Sequence, residues 1–213
     1  MSRSRILIAL AAGGLALAGP AAAQAPSDGS HARVVAVNGD VNAKTGDGAL
    51  APVAQGSEVA RGSELHTGID SEAKLQFADG SVMVVREMSQ VLIADLLGEG
   101  SRQTIAISVK LGELDAQVNP QKTFQSDFKV TTPTATASVR GTQIRRLSYH
   151  PARGTSLFLA SGSLLLTNNN GGSTATSPGD TASVDGEGTL VTPAETIAGV
   201  LARAKASTLK SGW

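Results

Sequence analysis

Cysteine is absent from all 213 residues. That absence excludes disulfides, thiol catalysis, cysteine-ligated zinc and a lipid anchor on a cysteine. Aromatic residues are scarce: one Trp, one Tyr and four Phe make up 3% of the chain. A groove built on stacked rings, as sugar and single-strand binders often have, is therefore not expected. Positive charge is not in excess either. Eighteen basic residues balance eighteen acidic ones, which argues against a nucleic-acid role. Beyond residue 25 no apolar run is long enough to span a bilayer.

What is present begins with a processing signal. Arg3 and Arg5 precede an apolar run from Ile6 to Ala18, Gly19-Pro20 breaks it, and small residues follow from Ala21 to Ala25. This pattern reads as a cleavable secretory signal over 1–25, cut after Ala23 or Ala25, and so as a periplasmic or secreted protein. Loss of the two arginines leaves the mature chain slightly acidic. A flexible leader is expected over 26–32, and the remaining length suits one domain with its own core.

Glycine is abundant, with 24 residues, and short alternating runs lie between glycine turns. Arg33–Val37 and Val41–Lys44 read as strands turned by Asn38-Gly39-Asp40. Ala73–Phe77 and Val82–Val85 flank Asp79-Gly80-Ser81 as a hairpin. Gly56-Ser57-Glu58-Val59 is echoed by Gly62-Ser63-Glu64-Leu65, which suggests short rungs. Thr104–Leu111 alternates well, Gly112 breaks it, and Glu113–Val118 follows. Ser156–Ala160 and Ser163–Thr167 read as strands hinged at Ser161-Gly162. The expected fold is all-β, a solenoid-like or sandwich-like stack of short strands over 33–190. A short C-terminal α-helix is expected over 191–213. It opens with a capping box at Thr192-Pro193-Ala194-Glu195, and Ile197, Val200, Leu201 and Ala204 then recur at helical spacing.

The stretch from Phe128 to Thr142 reads as one extended run. Thr132, Thr134, Thr136, Ser138 and Arg140 fall on one side, and Pro133, Ala135, Ala137, Val139 and Gly141 on the other. The small apolar set suits close approach of another backbone layer. Thr134 and Thr136 form a candidate ligand face, weighed against the plain strand preference of threonine. Arg140 is expected to pair with a carboxylate across the sheet through its planar fork. Arg145 and Arg146 are adjacent and so are expected on opposite faces. His31, His66 and His150 lie far apart, with no second ligand at metal-binding spacing. No metal or cofactor is therefore expected. Asp-rich turns at Asp40-Val41-Asn42 and Asp180 to Glu187 fall short of a calcium loop.

Four blocks together resemble the FecR-domain proteins, named for the periplasmic part of a ferric-citrate signalling regulator. They are Gly62 to Gly68 with Ser71 to Ser81, Leu111 to Leu114, Phe128 to Thr142 with its Thr132-Pro133 and Arg140-Gly141-Thr142, and Thr155 to Leu164. The resemblance implies an all-β extracytoplasmic module without known catalytic residues. It makes Asp79, Gly80, Thr132, Pro133, Arg140, Gly141 and Thr142 motif residues of structural character. FecR regulators carry an anti-sigma segment and a transmembrane helix before this domain. Here a signal peptide stands in that place, so a free-standing exported form is expected. Its role would be non-enzymatic: binding an envelope protein as an interaction or scaffold module, or alternatively binding peptidoglycan or exported polysaccharide.

Overall fold

The computed structural model describes residues 29–99, 102–119 and 125–191, with backbone only at 99, 125, 140 and 141. These residues form fifteen strands and no helix. The signal peptide and the C-terminal helix expected from the sequence lie outside the described residues. The first described strand begins at His31 and the last ends at Val191.

The strand pairings resolve into two layers. One layer runs β3 (Ala51–Pro52), β2 (Val41–Thr45), β5 (Ser63–Thr67), β8 (Gln90–Glu99) and the first half of β9 (Arg102–Gln117). It continues through β10 (Gln125–Thr131), the first half of β11 (Ala135–His150), the second half of β12 (Gly154–Asn168) and β13 (Ser173–Thr176). The other layer runs β4 (Glu58–Ala60), β1 (His31–Asn38), β6 (Glu72–Gln76) and β7 (Val82–Val85). It then takes the second halves of β9 and β11, the first half of β12, β14 (Thr181–Val184) and β15 (Leu190–Val191). Strands β9, β11 and β12 thus belong to both layers and join them covalently.

The layers form because each strand buries one side. In β9, Ile105, Ile107 and Val109 are buried, and past the bend Leu114 and Ala116 are. The buried set changes from odd to even positions across Gly112, so the strand keeps its apolar face on one core while passing from layer to layer. Gly112 has φ +93°, and a Cβ there would stand 2.3 Å from Ser89 Oγ and 2.5 Å from Ser89 Cα. Only glycine fits that corner. The two layers meet in a single cluster in which Phe77, beside β6, packs edge-to-face on Phe128 of β10, ring centroids 6.1 Å apart.

Both architectures expected from the sequence have a share here. The first half of β9 and β10 run parallel, from Arg102 opposite Gln125 to Ser108 opposite Thr131, and the chain between them passes through the other layer. That is one coil of a solenoid. The remaining pairs are antiparallel, as in a sandwich.

Several local expectations differ. Asn38-Gly39-Asp40 does not close a hairpin: β1 pairs β4 and β6, whereas β2 pairs β3 and β5. The turn is a corner between layers. Strands β8 and β9 stay paired out to Glu99 and Arg102. The run from Phe128 to Thr142 is two antiparallel strands, not one. Proline cannot donate to a ladder, and the chain turns at Thr132 to Thr134, with Thr132 N–H donating to Ala135 O at 2.8 Å.

Candidate interaction site

The motif residues converge on structural nodes. At the β6–β7 turn the Asp79 carboxylate is 3% exposed. Its Oδ1 accepts from Ser81 N–H at 2.9 Å, and its Oδ2 from the hydroxyls of Ser81 and Ser126. Gly80 takes φ +80° to make the turn. Asn119 then clasps it: its backbone N–H donates to Ser81 Oγ and its side-chain amide to Asp79 O, each at 3.0 Å. One residue earlier, Val118 N–H donates to Thr142 O at 2.8 Å. Buried Thr142 donates its hydroxyl to Ser163 O at 2.8 Å. Asp79-Gly80 and Thr142, 62 residues apart in the chain, therefore flank the same two residues just past the end of β9. Arg140 pairs with Ser163 through the backbone. The side chain of Arg140 lies outside the described residues, and with it the expected ion pair.

The threonine strip divides. Thr132 and Thr134 are 4% and 9% exposed and both share a hydrogen bond with Thr155 Oγ1, at 2.7 Å for Thr134. Thr136 lies on β11 and is half-buried on the outer side. Thr134 and Thr136 therefore do not form one ligand face, because the turn at Pro133 sends the first inward and leaves the second outward. Pro133 itself is exposed, while Ala135, Ala137 and Val139 form the expected inner row.

Arg145 and Arg146 also depart from expectation, because both are exposed while Ile144 and Leu147 are buried. Ile144 faces Ala116 and Leu147 faces Leu114, so three steps on β11 match two on β9. A β-bulge at Arg145 turns both arginines outward. The apolar spacing of Ile144 and Leu147, two polar residues apart, is the sequence sign of this bulge.

Two ion clusters sit on the outer faces. Glu64 of β5 is 6% exposed and lies under Lys110 (2.8 Å), Lys44 (3.9 Å), His66 (3.2 Å) and the Gln90 amide. Burial works to raise its pKa, but hydrogen bonds from Lys110 and Gln90 and the charges of Lys110 and Lys44 outweigh it, and the pKa is lowered to about 2. On the other layer Arg86 donates to Asp115 and, at 2.8 Å, to Glu72. The bond to Asp115 raises its pKa above the usual range against some desolvation.

The strongest candidate for an interaction surface is one the sequence did not single out. Along one margin the chain crosses between layers at 38–40, 68–71, 86–89 and 111–112. The crossings are tied together: Gly68 N–H donates to Asp40 O (2.9 Å), Met88 N–H to Gly68 O (3.0 Å), Asp70 N–H to Glu87 Oε2 (2.9 Å), and Glu113 N–H to Ser89 Oγ (2.8 Å). On this tied backbone Ile69 and Met88 are 73% and 62% exposed. Asp70 and Met88 both have φ +51°, and they are the non-glycine residues with positive φ among the described residues. A left-handed methionine costs about 1 kcal/mol or more. Two large apolar side chains thus stand out from neighbouring loops that are tied by hydrogen bonds, a ridge on a braced backbone. Sequence periodicity misses it because both residues lie in turns.

No group of three or more His, Asp or Glu side chains is placed to hold a metal ion among the described residues. The Asp-rich turns use their carboxylates locally: Asp40 Oδ1 accepts from Asn42 and Asp185 Oδ1 from Thr189 N–H, both at 2.7 Å. No helix among the described residues is long and apolar enough to cross a membrane.

An all-β module of two layers joined by shared strands, with Asp79, Thr132 and Thr142 buried in hydrogen-bonded nodes, is what the fold defines. Residues 63–165 match the profile of the family described as FecR protein, and the chain carries a FecR domain. Among solved structures it is similar to two crystal structures, at 1.65 and 2.50 Å, of a proposed anti-sigma factor from Parabacteroides distasonis ATCC 8503. Each is 14% identical with a TM-score of 0.49, and the match covers 60% of this chain and 57% of that one. No curated protein matches.

Proposed function

We propose that this protein is a non-enzymatic FecR-type interaction module that works in the periplasm by docking an envelope protein. A FecR domain fits a regulatory or interaction module. The observation that carries the reading is the Ile69–Met88 ridge. Exposed large apolar groups on a backbone fixed before binding cost little ordering on association, which is how a few central residues come to dominate an interface. The N-terminal sequence pattern supports export. The polysaccharide reading loses its support with the division of Thr134 from Thr136.

The test is crosslinked capture from envelope extract with the wild-type chain and with an Ile69→Asp/Met88→Asn double variant. A specific partner retained by the wild type and lost by the variant, with no fall in melting temperature, is the expected result. Equal capture by both, or capture of nothing, overturns the ridge as the docking surface. Co-sedimentation with purified peptidoglycan, unaffected by the double variant, favours the wall-binding alternative.

A further inference from the structure

We infer that the outer face at the β11 bulge is a second docking site, for an acidic peptide segment of a protein partner, gripped by Arg145 and Arg146 beside Phe158. An ordinary strand would send one of two adjacent arginines into the core. Here the extra residue appears against both neighbours. Ile144 and Leu147 span Ala116 to Leu114 on β9, and Ile144 and Arg146 span Leu159 to Phe158 on β12. The bulge therefore places two guanidinium groups side by side on one face of an otherwise regular sheet, a device that re-aims side chains.

The two arginines are not equivalent. Arg146 Nε donates to Glu113 Oε1 at 2.9 Å, which fixes its direction and leaves its terminal nitrogens available. Arg145 is exposed and makes no ion pair or hydrogen bond with the described residues. Of the acids around it, Glu113 is engaged by Arg146, and Asp115 and Glu72 by Arg86, while exposed Asp180, whose carbonyl accepts from Leu159 N–H of β12, forms no ion pair with the described residues. The positive charge of Arg145 is thus left without an ion-pair partner among the described residues. Phe158 lies directly opposite Arg146 and is half-buried on the same face, with exposed Thr181 beyond it on β14. Two planar forks beside one apolar ring match carboxylates flanking an apolar side chain. One ring gives a sugar little to stack on, so a peptide is favoured over an anionic glycan.

The inference rests on the interaction reading above, but on a different surface, so the two fail separately. The probe is a labelled Glu-rich dodecapeptide containing one Leu, with a Gln-for-Glu counterpart, followed by fluorescence anisotropy at ~0.15 M salt, a concentration that screens loose surface attraction. The wild type should bind the acidic peptide and not the neutral one. Arg145→Ala should weaken binding by about tenfold or more, as expected for loss of a charge-assisted fork, with no change in melting temperature. Arg145→Lys should fall between, and Lys129→Ala on the opposite face should change nothing. Equal weakening by Lys129→Ala, no effect of Arg145→Ala, no peptide binding, or tighter binding of polygalacturonate than of peptide each overturns the proposal. The Ile69→Asp/Met88→Asn variant should bind the peptide normally, so loss of capture with peptide binding intact counts against neither the arginines nor the bulge.

Discussion

The two margins of the molecule, where the chain passes between layers, are built on opposite rules. At the margin holding Asp79, Asn119 and Thr142, polar groups are buried and satisfied. At the margin holding Ile69 and Met88, apolar groups are exposed and the backbone is strained. Motif blocks of the family run through both margins, with Asp79 and Thr142 at the first and Gly68, Ser71 and Gly112 at the second; the second also exposes the large apolar side chains that suit a partner. Motif residues here keep a shape, and the surface that shape presents is made by other side chains. A recognisable motif and a site of action need not coincide, since function is grafted onto a fold.

The largest expected effect falls on the closed margin. Asp79→Ala removes the acceptor of Ser81 N–H and of the Ser81 and Ser126 hydroxyls inside the protein. A loss of about 2–4 kcal/mol is expected in urea unfolding. A loss under half that would mean the node is dispensable and would erase the contrast. Gly112→Val at the open margin combines φ +93° with a contact of 2.3 Å to Ser89, and about 3 kcal/mol is expected. If thermal melting of this variant matched the wild type, the corner would have to be softer than its geometry implies.

Acid stability sharpens the comparison at Glu64. Its folded pKa of about 2 is below the ordinary 4.5. The charge therefore stabilises the fold above pH 4.5, and that stability is lost as pH falls from 4.5 toward 2. Roughly 3 kcal/mol is at stake. Glu64→Gln should be less stable at pH 7 and should lose that part of the acid dependence; parallel pH profiles for the two proteins would refute the assignment. The smallest effect is expected at the ridge. Asn tolerates the left-handed region better than Met, so Met88→Asn should gain about 0.5–1 kcal/mol while losing partner capture. A variant that is both less stable and fully competent would reverse the reading of the open margin.

Much of the fold was legible in the sequence, and the reasons are local. Alternation marked the β6–β7 hairpin, and the bend of β9 at Gly112 is visible as a broken period. The crossing at Asn38-Gly39-Asp40 was not legible, because the same turn chemistry serves a hairpin and a corner between layers. Thr132 and Thr134 alternate in sequence with Pro133, but the bond that decides their direction comes from Thr155, more than 20 positions on. Asp79 is readable as a turn residue; its burial depends on Ser126, which arrives after a full coil of the chain. The bulge at Arg145 had a signal, Ile-Arg-Arg-Leu, that strict period-two reading set aside. The Ile69–Met88 ridge had none, since its loops meet only through tertiary hydrogen bonds.

The strands shared between layers bear on a different question, how a chain without cysteine keeps two sheets from sliding. In many small exported domains a covalent cross-link between sheets resists shear. Here β9, β11 and β12 carry the main chain itself from one sheet to the other. Any slip of one sheet by a residue must drag three strands of the other out of register with it. Each sheet thereby acts as a register lock for its neighbour, and the assembly resists shear without depending on the redox state of its surroundings.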